Sequence, residues 1–177
     1  MNEVMYTAED LDIKIYYQDT DSMHIERSRL NDLATEFRRR FDRELIGKDM
    51  GQFHNDFDEF ADSWAYQSLF NGKKCYIDML TDEHGAKAVH KRAKGITLTT
   101  LDKMATDMYT SSSSHDTALF DLYNDLFEEK PITFDLKQVR ACFKNDKSRR
   151  VANCSSFTRE LCFKGTKNVV KCNLDSV

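Results

Sequence analysis

Hydrophobic and polar residues alternate at the start of the chain. Ile13, Ile15 and Tyr17 alternate with Lys14, Tyr16 and Gln18, the period-2 pattern of a half-buried strand. Asp19-Thr20-Asp21-Ser22 supplies turn residues, after which Met23 and Ile25 resume the alternation. Residues 12–26 are therefore expected to form a hairpin. The period then changes. Leu30, Leu33, Ala34, Phe37, Phe41 and Leu45 share one stripe, predicting an amphipathic helix over 28–46. Ser28 is its expected N-cap, Gly47 its stop, and Glu36–Arg40 and Arg40–Glu44 its polar-side pairs.

A second hairpin is expected over 62–81, with strands Ser63 to Phe70 and Lys73 to Leu80 flanking Asn71-Gly72. That dipeptide favours a type I′ turn, in which both central residues need positive φ. A strand over Ala86 to Lys94 follows. Two helices come next, one striped by Leu98, Leu101, Met104, Ala105 and Met108, the other by Leu119, Leu122, Tyr123 and Leu126. Ser111 to Ser114 joins them as a short loop. Ile132 to Leu136 and parts of 150–172 are expected to be strands. The pattern predicts an α+β fold with a boundary near residue 96, mostly strand before it and led by helices after it.

Composition narrows the picture. The chain has 177 residues, 40% hydrophobic and 32% charged, with one Pro and six Gly, which suits a folded chain of one or two small domains. No apolar run is long enough to span a membrane, and Met1 to Asp10 is too acidic for a secretory signal. Five Cys without a CxxC pair argue against a disulfide framework or a zinc site, so they are expected to be reduced packing thiols of an intracellular protein. Residues 1–72 hold 16 acids and 8 Lys or Arg, net −8; residues 73–177 hold 14 acids and 18 Lys or Arg, net +4. An acidic and a basic half fit a metal site beside a polyanion-binding surface.

The acidic half carries the sharpest string. Asp19 and Asp21 lie two positions apart in a turn and can point the same way. Two carboxylates held that close repel, and a divalent cation relieves the repulsion; carboxylate oxygens suit Mg²⁺. Good turn residues alone could also explain Asp-Thr-Asp. The wider string Tyr17-Gln18-Asp19-Thr20-Asp21-Ser22 resembles the YxDTDS motif of family B DNA polymerases, which lies on a hairpin of the palm. The resemblance implies that Asp21 is the main catalytic metal ligand, that Asp19 assists, and that Tyr17, Thr20 and Ser22 shape the turn. About 50 residues on, Lys73-Lys74-Cys75-Tyr76 resembles the family's KKxY motif, whose Lys and Tyr hold the primer–template duplex. Two ammonium groups can contact phosphates whatever the family. Lys87, Lys91, Arg92 and Lys94 precede Gly95-Ile96, a string similar to one before the thumb in viral, organellar and linear-plasmid members of the protein-primed branch. It implies backbone contact by Lys94, with Gly95 turning the chain.

The resemblance thus implies a palm-like antiparallel sheet backed by a helix over 1–96 and a smaller helical, thumb-like subdomain over 97–177. It implies template-directed deoxynucleotide transfer to a primer 3′ end by two-metal catalysis. Its partners would be primer–template DNA, deoxynucleoside triphosphates, and an N-terminal polymerase portion or a terminal protein, with no membrane. The family's second carboxylate motif, resembling DxxSLYPS, and its fingers helix, resembling KxxxNSxYG, do not occur in the chain. The chain alone is therefore expected not to polymerise DNA, as an incomplete product or part of a split enzyme. Two alternatives stay open: a DNA-binding remnant without catalysis, and a metal-dependent glycosyltransferase using Asp-Thr-Asp. Asp56, Asp58, Glu59 and Asp62 are expected to be a solvated connector, Arg38, Arg39 and Arg40 a solvated helix face, and the five His carry no assigned role.

Overall fold

The computed structural model describes residues 1–57, 60, 63–142, 151–161 and 171–173, with backbone alone from residue 134 onward. The fold is mixed α+β, as the pattern predicts. In chain order the elements are α1 (Asn2–Asp10), β1 (Ile15–Asp19), β2 (Ser22–Ile25), a 3₁₀ turn (Arg27–Arg29), α2 (Leu30–Phe41), β3 (Trp64–Gly72), β4 (Cys75–Thr81), β5 (Lys87–Ala93), α3 (Leu98–Met108), α4 (His115–Phe127), β6 (Ile132–Cys142), β7 (Val151–Leu161) and β8 (Lys171–Asn173). Strands β1 and β2 pair with each other, β6 and β7 likewise, and the remaining four stand in the order β5-β4-β3-β8. The chain divides into two compact units: Met1–Ser68 with Asp78–His90 and Cys172–Val177, and Leu69–Ile77 with Lys91–Lys171.

The first unit is built on a small apolar core. Val4 and Ala8 of α1, Ile13, Leu33 and Phe37 of α2, and Leu45 are buried together, and Ile15, Met23 and Ile25 of the β1–β2 hairpin pack on them. Helix α1 has no counterpart in the sequence reading. Its buried stripe is only Val4, Thr7 and Ala8, too short and too polar to stand out as a helical period. Thr7 escapes the cost of burial because its hydroxyl donates to the Glu3 carbonyl at 2.7 Å. Charged pairs tie α1 to α2 along the rim: Arg40 reaches both Asp10 and Glu36, and Arg43 reaches Glu3.

Helix α2 is shorter than its apolar stripe. It begins at Leu30 behind the 3₁₀ turn, and its N-cap is Arg29 without a side-chain cap. Ser28, the expected cap, instead donates to the Glu26 carboxylate. The helix ends at Asp42, which adopts φ 50° and donates its N–H to the Arg38 carbonyl at 2.9 Å, five residues before Gly47. The Glu36–Arg40 pair forms, at 2.6 Å, whereas Glu44 pairs with Arg38 at 3.0 Å. Arg38 and Arg39 are well exposed; Arg40 is bound up with Asp10 and Glu36.

Among the described residues the second unit has the longer set of buried apolar side chains. Leu101, Met104 and Ala105 of α3 are buried, as are Ala118, Leu119, Leu122, Tyr123 and Leu126 of α4 and Leu69, Phe70, Cys75, Tyr76 and Ile77 of the strands. Both helices start on side-chain caps: Thr97 accepts from the Thr100 N–H at 3.3 Å, and Ser114 accepts from the Thr117 N–H at 3.2 Å. Tyr123 places its hydroxyl on the Arg92 carbonyl at 2.9 Å. Strand β6 runs to Cys142, well past the expected Leu136, and pairs antiparallel with β7 from Ile132–Leu161 to Cys142–Val151. Cys75 is a free buried thiol, its pKa pushed up to about 12 by burial. The side chains of the other four Cys lie outside the described residues.

The β3–β4 turn is centred on Lys73-Lys74 rather than Asn71-Gly72. Asn71 is buried within β3 and donates its side-chain N–H to the Tyr123 carbonyl at 2.9 Å. That tertiary bond carries the strand two residues further, and Lys74 takes the positive φ, 59°.

Candidate functional site

The β1–β2 hairpin places the Asp-Thr-Asp string at its tip. Ile15 pairs with Ile25, Tyr17 with His24, Gln18 with Met23 and Asp19 with Ser22, leaving Thr20 and Asp21 as the two turn residues. The register slips between Ile15 and Tyr17, so the simple alternation expected for β1 is broken at Tyr16; Tyr16 and Tyr17 are both half-buried. Thr20 adopts φ 55°, an uncommon conformation for a β-branched residue. The Asp19 carbonyl holds the turn closed by accepting from the Asp21 N–H at 2.7 Å and the Ser22 hydroxyl at 3.1 Å. Thr20 donates its hydroxyl to Asp19 Oδ1 at 3.2 Å. Tyr17 stands edge-on to the His24 ring, centroids 5.6 Å apart. Thr20 and Ser22 thus both bond to Asp19 within the turn, and Tyr17 lies against His24 behind it.

Asp19 is half-buried and Asp21 exposed. Two carboxylates offer hard oxygen donors of the kind Mg²⁺ prefers. Among the described residues no group of three or more His, Cys, Asp or Glu side chains converges as a metal cage. Two carboxylates alone could supply at most part of a metal's coordination shell.

The second hairpin presents the basic string. Lys73 and Lys74 are exposed at the turn between β3 and β4. Tyr76, by contrast, is only 7% exposed, its ring 6.2 Å from that of Phe70. The Lys94 side chain is exposed, and its N–H donates to the Lys74 carbonyl at 2.8 Å. Gly95 follows at φ 82°, turning the chain from β5 towards α3. Of the other residues in that basic stretch, Lys91 is half-buried and ion-paired to Asp102 at 2.8 Å, and Lys87 extends over the Tyr66 ring at 5.8 Å. Asp56 is exposed. Asp58, Glu59 and Asp62 lie outside the described residues.

Sequence reasoning missed a buried polar cluster in the first unit. Asp78 of β4 is 0% exposed and accepts three hydrogen bonds. His24 Nε2 lies 3.2 Å from Oδ2, His90 Nδ1 lies 3.1 Å from the same oxygen, and the Ser68 hydroxyl donates to Oδ1 at 2.7 Å. Burial alone would push the carboxyl upward. The bonds from His24, His90 and Ser68 outweigh it and hold the pKa down at about 2. The His90 ring also meets Phe57 edge-on at 5.3 Å. No local spacing announces this cluster, because His24 and Asp78 stand 54 residues apart.

Compared with protein-family models, with curated proteins and with solved structures, the chain matches none.

Proposed function

We propose that the chain is a palm-and-thumb portion of a family B DNA polymerase, in which the β1–β2 tip carries metal-binding carboxylates and the β3–β4 tip contacts DNA. The observation that carries this reading is the YxDTDS-like string at the tip of an antiparallel two-stranded hairpin, with Asp21 exposed. Asp21 is the principal Mg²⁺ ligand and Asp19 the second. Bound there, Mg²⁺ would neutralise phosphate charge during nucleotidyl transfer.

The rest of the chemistry belongs to this chain's own groups. Thr20 and Ser22 hold the turn so that the two carboxylates have a fixed backbone. Lys73 and Lys74, with Lys94, attract and position the phosphate backbone, a sequence-independent contact that weakens as salt rises. Tyr76 is buried beside Phe70 in the same hairpin. Because the chain lacks the strings for the second carboxylate and the fingers, it binds primer–template DNA but does not extend it alone.

Fluorescence anisotropy on a labelled primer–template tests the reading. Binding should fall steeply with salt, and the Lys73→Ala/Lys74→Ala double variant should reduce the slope of log K against log salt by about 2. Salt-insensitive binding, or an unchanged slope in the double variant, would remove the DNA role of this tip. Robust primer extension by the chain alone would refute the incomplete active site.

A further inference from the structure

The Asp78 cluster joins elements that the sheet topology keeps apart. Among the described residues His24 belongs to β2, which pairs with β1, whereas Asp78, Ser68 and His90 belong to β4, β3 and β5 of the larger sheet. The His24–Asp78 bond therefore bridges the acidic hairpin and that sheet within the first unit. A second tie lies close by in the chain: the Arg27 guanidinium, two residues past β2, sits 4.0 Å above the Trp64 ring of β3.

His24 is well placed to transmit this anchorage. It is the cross-strand partner of Tyr17 and lies two residues beyond Ser22, the partner of Asp19. Side chains two apart on a strand share a face, so His24 and Ser22 lie on one side of the hairpin. A fully buried carboxylate is costly unless its oxygens are satisfied. Tilting the hairpin away from the sheet would strip Asp78 of one of its three donors, so the cluster resists that motion. Sites that bind metal need their ligands held to within about 0.5 Å, usually by a supporting layer of hydrogen bonds.

Resting on the metal-bearing reading of the tip, we infer that Asp78 is a positioning residue for Asp19 and Asp21, acting through His24. His90 and Ser68 orient the carboxylate from the sheet side.

The test uses the whole chain, with amide hydrogen exchange and Mn²⁺-induced NMR line broadening as readouts. His24→Phe and Asp78→Asn should speed exchange of the β1–β2 amides about tenfold, the size expected for one lost hydrogen bond to a charged group. Exchange in α2 should change far less. Both variants should weaken Mn²⁺ broadening at the tip by a similar factor. His24→Gln, which keeps an N–H near the position of Nε2, should restore both readouts to within about threefold. His90→Phe should leave the hairpin amides near the starting rate. If Asp78→Asn fails to fold, the His24→Phe and His24→Gln pair carries the test. Unchanged hairpin exchange in His24→Phe, or acceleration spread evenly through α1 and α2, would overturn the inference. Wild-type chain that shows no Mn²⁺ broadening at the tip, yet keeps the hairpin-specific acceleration, would leave the anchorage standing and remove the metal reading.

Discussion

The two hairpin tips make an instructive pair. Each is a two-residue turn, and each forces a residue other than glycine into positive φ: Thr20 at 55° in the first and Lys74 at 59° in the second. One tip is acidic and the other basic. Their support differs as well. Behind the acidic tip lies the polar cluster around Asp78; around the basic tip lie the buried apolar residues Leu69, Phe70, Tyr76 and Ile77. Strained backbone persists only where the surroundings over-determine it, and it gathers at functional positions. Thr20 is the more unusual case, since a β-branched side chain is penalised most in that conformation.

The comparison can be broken from either side. The largest expected loss is on the apolar side. Ile77→Ala removes a fully buried side chain and should cost about 4 kcal/mol in urea unfolding. Asp78→Ala should cost about 3 kcal/mol, because His24, His90 and Ser68 lose a buried partner together.

Acid sharpens the contrast. The Asp78 pKa lies below that of the unfolded chain, so its contribution is present above about pH 4 and lost as pH falls towards about 2. About 2 kcal/mol should disappear over that window. Asp78→Asn should flatten that part of the stability–pH profile, while Ile77→Ala should leave its shape unchanged.

The smallest effect is expected at the tips. Thr20→Gly should raise stability by about 0.5 kcal/mol, the relief of the left-handed Thr being mostly offset by the freedom glycine gains in the unfolded chain. A measured loss of stability would mean that the Thr20 hydroxyl bond to Asp19 outweighs the strain.

The first tip was legible in the sequence because its signal is local: strand alternation on both sides and turn residues between them. The α3 and α4 stripes were legible for the same reason, with Leu101, Met104, Leu119, Leu122 and Leu126 all buried at helical spacing. The second turn was misplaced because Asn71-Gly72 is a strong local turn signal that a distant partner, the Tyr123 carbonyl, overrides. Helix α1 was missed because Val4, Thr7 and Ala8 bury little apolar surface and one of them is polar. The Asp78 cluster was invisible for a further reason. Its members come from four strands, and only the fold brings His24 to a carboxylate 54 residues away.

Mn²⁺ titration of the ¹⁵N-labelled chain addresses the acidic tip most directly. Paramagnetic broadening should centre on the amides of Asp19 to Ser22, weaken in Asp19→Asn and vanish in Asp21→Asn. Broadening centred elsewhere, or unchanged in Asp21→Asn, would contradict a metal-bearing hairpin and with it the polymerase reading.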